Sequence, residues 1–292
     1  MSETIRATRP EPPPHVSAQV EVAHTPLPKW AIGEFFGTFL LVFFGCGSVC
    51  AAVSTGAQVG VFQVAIVWGI GIATAIYLTG SLSSAHLNPS VTIASAAWSR
   101  FPARLVIPYI LVQMLGAFAG AAMLYFIFAG ALAGYEAKHG IVRGAEGSEA
   151  TAMVFADYFP NPGGKALDNE ARAAMTPVRA FTAEMVGTAI LVLVIFCATD
   201  DRNATRPQIL TAATIGLTIT LIISLIGPLT MAGLNPARDF APRLFSSLAG
   251  WGKVPFTTNG PGWLTVYIIA PIFGGLLGGG IYRFFFRPAY RS

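Results

Sequence analysis

The sequence predicts an all-α membrane protein: six transmembrane helices plus two re-entrant half-helices, arranged as an inverted repeat. Three observations predict it. The chain is 54% hydrophobic and only 11% charged, where soluble domains carry about 25% charge, and its mean hydropathy is +0.62. Six segments stay apolar over the roughly 20 residues that a bilayer-spanning helix needs. Two short stretches, His86-Leu87-Asn88-Pro89-Ser90-Val91 and Gly233-Leu234-Asn235-Pro236-Ala237-Arg238-Asp239, each place Asn-Pro-(small residue) between apolar spans.

The first 28 residues hold Pro10, Pro12, Pro13, Pro14, Pro26 and Pro28 among scattered charges. They read as a disordered or extended tail without the apolar core of a signal peptide. The expected spans are Trp30–Val53, Val61–Leu78, Leu105–Leu132, Arg179–Ala198, Ile209–Ile226 and Trp263–Phe286. Residues 29–292 form one membrane domain. Its two halves, about 30–132 and 179–286, are joined by a long loop over 133–178. Glycines within the spans, such as Gly33, Gly37, Gly116, Gly120, Gly274 and Gly278, suit close helix contacts in lipid. Basic residues cluster before the first span, in the second and fourth connections (Arg100, Arg104, Arg202, Arg206) and at the C-terminus. The positive-inside rule then places both termini in the cytoplasm and the long loop outside. Cys46, Cys50 and Cys197 all lie in apolar segments and read as small buried hydrophobes.

The halves repeat each other. Glu34 sits in Gly33-Glu34-Phe35-Phe36-Gly37-Thr38, and Glu184 in Ala183-Glu184-Met185-Val186-Gly187-Thr188, 150 positions on (184 − 34). The two Asn-Pro motifs are 147 apart (235 − 88). Each half contributes three spans, an odd number, so the halves insert with opposite orientation and a site is expected near the midplane. Proline fits the first turn of a helix and asparagine caps it. Each motif therefore starts a short helix at membrane depth, which is tolerated only where it lines a cavity or is buried in protein. Two helix N-termini meeting at the centre repel a cation and offer donors to a neutral molecule. Arg238, an ionisable residue at membrane depth, reads as functional. A secondary transporter built on inverted repeats is a competing class, but apart from Glu34 and Glu184 no titratable pair suggests ion coupling. A membrane enzyme lacks its nucleophile–base set, no metal-ligand cluster or cofactor site is visible, and no Lys/Arg block points to nucleic acid.

From about Trp30 to Phe286 the chain resembles the major intrinsic protein family, the aquaporins and aquaglyceroporins. The resemblance rests on His86-Leu87-Asn88-Pro89, Asn235-Pro236-Ala237-Arg238 and the paired Glu34 and Glu184. It implies an aquaporin-like right-handed bundle with a pore in each subunit, a homotetramer in lipid, and a multi-pass protein of the bacterial inner membrane. It implies pore-centre motifs at Asn88, Pro89, Ser90 and Asn235, Pro236, Ala237. It implies a selectivity filter of Trp68, Ile223, Ala232 and Arg238, and loop support from Glu34, Glu184, His86 and Asp239. Ile223 stands where water-selective members usually carry a histidine. Asp239, Arg243 (four residues on, at pairing distance) and Pro271-Ile272 resemble the glycerol-facilitator branch. Ser90 replaces the usual alanine and is expected to add a hydroxyl near the pore centre. Ala232 stands where the glycerol facilitator has a second aromatic, a combination similar to the plant nodulin-like channels. The function implied is passive conduction of small uncharged solutes: glycerol, with water, urea or neutral metalloid hydroxides. The alternative is a mainly water-selective pore.

Overall fold

The computed structural model describes residues 27–290. The expected tail lies outside the described residues up to position 26. Among the described residues, six helices are long and apolar enough to cross a membrane: α1 (Lys29–Thr55), α2 (Val61–Ser83), α4 (Ala103–His139), α5 (Pro177–Thr199), α6 (Gln208–Thr230) and α8 (Gly262–Ala289). Between them lie two half-helices, α3 (Pro89–Trp98) and α7 (Pro236–Ser246). There is no strand among the described residues. This is the fold the sequence predicts.

The packing repeats as the sequence does. α1 packs on α2 and α4, and α5 packs on α6 and α8. Each half-helix lies against the last span of the other half, α3 on α8 and α7 on α4. Tyr109 of α4 donates its hydroxyl to the Ser83 carbonyl at the end of α2, and Tyr267 of α8 donates to the Thr230 carbonyl at the end of α6. The two halves meet where α2 crosses α6. There a Cβ on Gly69 would stand 2.5 Å from the Gly216 carbonyl oxygen, and one on Gly216 would stand 2.3 Å from the Gly69 oxygen. Only glycine at both positions lets the backbones approach this closely. Gly69 and Gly216 are 147 apart (216 − 69), the spacing of the two Asn-Pro motifs, so the pseudo-symmetry relates this crossing and the half-helices alike.

The spans run a few residues longer than the sequence reading, α2 to Ser83 and α6 to Thr230, and the largest difference is at α4. α4 runs past Leu132 to His139 and stops at Gly140, whose left-handed φ of 65° caps it. The stretch Ala133–His139 is more polar than a lipid-facing span but has good helix formers, so hydropathy marks its end too early. The connection that follows is a packed structure. Its residues from Ser148 to Phe159 are buried. Glu136 accepts from Arg143 (2.7 Å) and from the Thr151 hydroxyl (2.8 Å), and Trp251 donates its ring N–H to the same hydroxyl. The Arg143 guanidinium lies 3.9 Å from the Trp251 ring centroid. These contacts fasten the loop to the end of α4 and to the segment after α7, and they carry its apolar run Met153–Phe159 back into the bundle.

Candidate functional site: a pore through the bundle

Both half-helices start the same way. Asn88 is extended, and its Oδ1 accepts from the Ser90 N–H at 2.8 Å. Asn235 is extended, and its Oδ1 accepts from the N–H groups of Ala237 (3.0 Å) and Arg238 (3.3 Å). The amides then cross between halves: Asn88 Nδ2 donates to the Leu234 carbonyl at 2.9 Å, and Asn235 Nδ2 to the Leu87 carbonyl at 2.8 Å. A side-chain amide has two N–H donors. Each asparagine thus spends its oxygen on a cap and one N–H on the other half. One N–H on each is left for whatever occupies the cavity that both residues line.

The loops before the half-helices are strained in the same places. Ser84, Ala85 and Leu87 have positive φ, and so do Met231, Ala232 and Leu234, each 147 residues on. Non-glycine residues there cost roughly 1–3 kcal/mol each and persist only when the surroundings hold them. The holders are the two glutamates. Glu34 accepts from the N–H groups of His86 (2.9 Å) and Leu87 (2.8 Å), and Glu184 accepts from Gly233 (2.9 Å) and Leu234 (2.7 Å). Both carboxylates are fully buried. Glu34 and Glu184, the pair that the repeat relates, each accept from the loop of their own half. Ser83 beside Glu34 matches Thr230 beside Glu184, 147 residues on (230 − 83), and Gln113, which donates to Glu34 at 2.8 Å, is the partner that one half has in addition. Gln113 was not singled out by sequence, since a lone glutamine in an apolar span has no repeat partner.

Two cavities run into the protein from opposite ends. The one beside His86 and Asn88 has a volume of about 470 Å³. The one beside the long loop, lined by Tyr135 and Asn161 among others, has about 730 Å³. Trp68, Ile223 and Arg238 line both, so they stand at the neck between them. Ala232 lines only the first cavity and Met231 only the second. The His86 ring lines the first, with Nδ1 3.2 Å from the Thr92 hydroxyl and its face tilted on Phe101 and Tyr109.

Arg238 is held on two sides. Its Nη2 lies 2.9 Å from Asp157 Oδ1, and its Cζ is 4.5 Å from the Trp68 ring centroid. Its Nη1 has no hydrogen-bond partner within the protein. Asp157 comes from the folded-back loop and is itself fixed through the backbone. Its N–H donates to Asp239 Oδ1 at 2.8 Å, and its carbonyl accepts from Arg243 Nη2. Arg243 also donates from Nε to Asp239 Oδ2 at 2.9 Å, the i,i+4 pair that the spacing predicts. Gly233 has to be glycine beside this cluster, because a Cβ there would stand 2.9 Å from Asp157 Oδ2. Sequence reading missed Asp157. One signal was available: Arg238 at membrane depth needs a counter-charge, and Asp157 is the acid inside the apolar run of the loop.

Ser90 corrects an expectation. It is fully buried, lies against Gly275 of α8 and lines neither cavity, so its hydroxyl is not at the pore centre. Its Oγ has no hydrogen-bond partner. The physical reason is register: Asn88 turns into the lumen, so the residue two places on in a helix points to the far side, where α8 packs. An unpaired buried hydroxyl costs about 1–3 kcal/mol. Ser90→Ala is therefore expected to raise the melting temperature in detergent and to leave solute flux unchanged. A fall in flux would put the hydroxyl back in the pore.

Comparison with known proteins agrees with this geometry. The family model described as "Major intrinsic protein" matches residues 21–282. The glycerol uptake facilitator protein of Haemophilus influenzae is 42% identical over 253 residues, which cover 86% of this chain and 91% of that protein. The protein of the same name from Escherichia coli K12 is 43% identical over 256 residues, 88% of this chain and 86% of its own length. The propanediol uptake facilitator PduF of Citrobacter freundii is 40% identical over 254 residues, 87% and 90% of the two chains. Among solved structures, the aquaglyceroporin from Plasmodium falciparum superposes with a TM-score of 0.77 at 26% identity, covering 90% of this chain and 98% of that one. With six membrane-length helices, two Asn-capped half-helices meeting head to head and relatives of this similarity, the chain is a multi-pass membrane protein of the major intrinsic protein family.

Proposed function

We propose that this protein is a passive channel for small uncharged polyols, with glycerol the leading solute and water, urea or neutral metalloid hydroxides able to follow. The observation that carries this reading is the neck. Three of its sides are Trp68, Ile223 and the small Ala232 or its neighbour Met231, and one side is the guanidinium of Arg238. A polyol has carbon on one edge and hydroxyls on the other. Its carbons lie against the apolar walls while a hydroxyl oxygen accepts from the Arg238 guanidinium, then from the second N–H groups of Asn88 and Asn235 further in. Each of these groups donates and none accepts, so a solute crosses by exchanging one donor for the next. A cation meets a buried guanidinium and the positive ends of two helices. The relatives named as glycerol and propanediol facilitators support the same solute class. We further propose that both termini are cytoplasmic, that the membrane is the bacterial inner membrane, and that four copies assemble. Apolar outward faces such as Phe62 and Ile70 on α2 and Leu221 and Leu225 on α6 suit lipid or a second copy.

The test is osmotic light scattering on proteoliposomes, with water shrinkage and glycerol re-swelling followed on one sample. Fast glycerol entry is expected. Arg238→Ala and Trp68→Ala are each expected to widen the neck and admit bulkier polyols. Fast water flow without glycerol entry would overturn the polyol reading in favour of the water-selective alternative.

A further inference from the structure

We propose that Met231 is the fourth wall of the constriction on the side of the long loop, and that its thioether sets the girth of solute admitted there. The sequence assigned this part to Ala232. The inference rests on the channel reading above and adds a residue to it. Three observations carry it. Met231 lines the loop-side cavity together with Trp68, Ile223 and Arg238, whereas Ala232 lines only the opposite one. Met231 is the residue at which α6 ends, with a left-handed φ of 65°, and its N–H is tied back to the Gly227 carbonyl. That conformation turns its side chain out of the helix line, next to the neck. Finally, its sulfur accepts from the Tyr158 N–H at 3.3 Å, so the folded-back loop holds the side chain in place.

The loop therefore sets two walls through adjacent residues: Arg238 through the Asp157 carboxylate, and Met231 through the Tyr158 N–H. A small residue at 232 does not by itself make the pore wide, because the larger side chain beside it faces the same lumen one step further out. Methionine is also the most adaptable apolar side chain. Such a wall yields to short polyols that differ by a carbon and closes against longer ones.

The test uses the full chain in proteoliposomes and reads the ratio of xylitol to glycerol permeability. Met231→Ala is expected to raise this ratio by about tenfold, the low end of what a missing methylene is worth in a selective apolar pocket. Met231→Leu, of similar bulk, is expected to stay near the parent ratio. An unchanged ratio for Met231→Ala overturns the proposal. Should that variant fail to insert, Met231→Cys gives a second readout. Modification by a bulky methanethiosulfonate reagent is expected to block glycerol flux and to be slowed by glycerol. Full modification with undiminished flux, or a thiol at 231 that cannot be reached, overturns the proposal as well. The native thiols of Cys46 and Cys50 are buried and Cys197 is half-buried, so the parent channel is the control. A parent channel that passes no glycerol would instead sink the polyol reading.

Discussion

Replacing Asp157 by alanine is expected to cost about 3–5 kcal/mol, the usual penalty for removing one partner of a buried ion pair. Arg238 is 3% exposed and Asp157 is fully buried. The loss leaves a buried guanidinium against the Trp68 face without its direct ion-pair partner, with Asp239 and Glu184 as the remaining acids near it. The cost is paid by the charge left behind, more than by the bond that is lost. The double variant Asp157→Leu with Arg238→Leu is therefore expected to melt above Asp157→Ala alone, and a double-mutant cycle on melting temperatures would measure the coupling. Asp157→Asn keeps the shape and removes the charge, so it isolates the effect on transport. Without the pull of the carboxylate, Arg238 is expected to turn further toward the lumen it already lines. Glycerol flux is expected to fall, and to fall more than water flux, because the larger solute needs the space that the side chain enters. Equal conductance of both solutes through Asp157→Asn would show that Trp68 alone positions the arginine.

What could be read from the sequence was what is local or repeated. The half-helix starts, the paired glutamates and the Asp239–Arg243 pair each follow from a spacing of a few residues or from a motif that occurs twice. Their caps and loop contacts lie within one half or recur in both. Asp157 and Met231 follow from neither. Asp157 reaches Arg238 only because the segment 148–159 folds back into the protein, and that path depends on Glu136, Arg143, Thr151 and Trp251 meeting from four separate stretches. No periodicity in the segment announces this. Met231 is hidden for another reason. Counting back from Asn235 selects Ala232 as the filter position, but consecutive left-handed residues turn neighbouring side chains to opposite cavities. Ser90 shows the same limit. Its place in the motif is right, yet the helix rotation that follows Asn88 points its hydroxyl at α8.

The second large effect concerns the two glutamates, which are equivalent in the repeat and unequal in consequence. Alanine at position 184 leaves the N–H groups of Gly233 and Leu234 and the Thr230 hydroxyl without their acceptor. Each buried donor left unpaired costs about 1–3 kcal/mol. The left-handed residues of that loop also lose the contact that offsets their strain. Alanine at position 34 does the same to His86 and Leu87 and releases Gln113. Comparable losses of stability are therefore expected for the two alanine variants, measured by thermal unfolding in detergent. The glutamine variants separate the halves, since each retains one acceptor oxygen and should still insert. The loop under Glu184 carries Met231 and Arg238, which face the neck, and it has no slack, because Gly233 is wedged between Asp157 and Tyr267. Any shift of that loop must move the walls. Glu184→Gln is expected to change the ratio of glycerol to water permeability. The loop under Glu34 carries His86 and Asn88, which face the opposite cavity and leave the neck alone. Glu34→Gln is expected to lower both permeabilities together and to keep their ratio. Identical changes in ratio from the two substitutions would mean that the solute is selected at the asparagines, where the halves are symmetric, and not at the asymmetric neck.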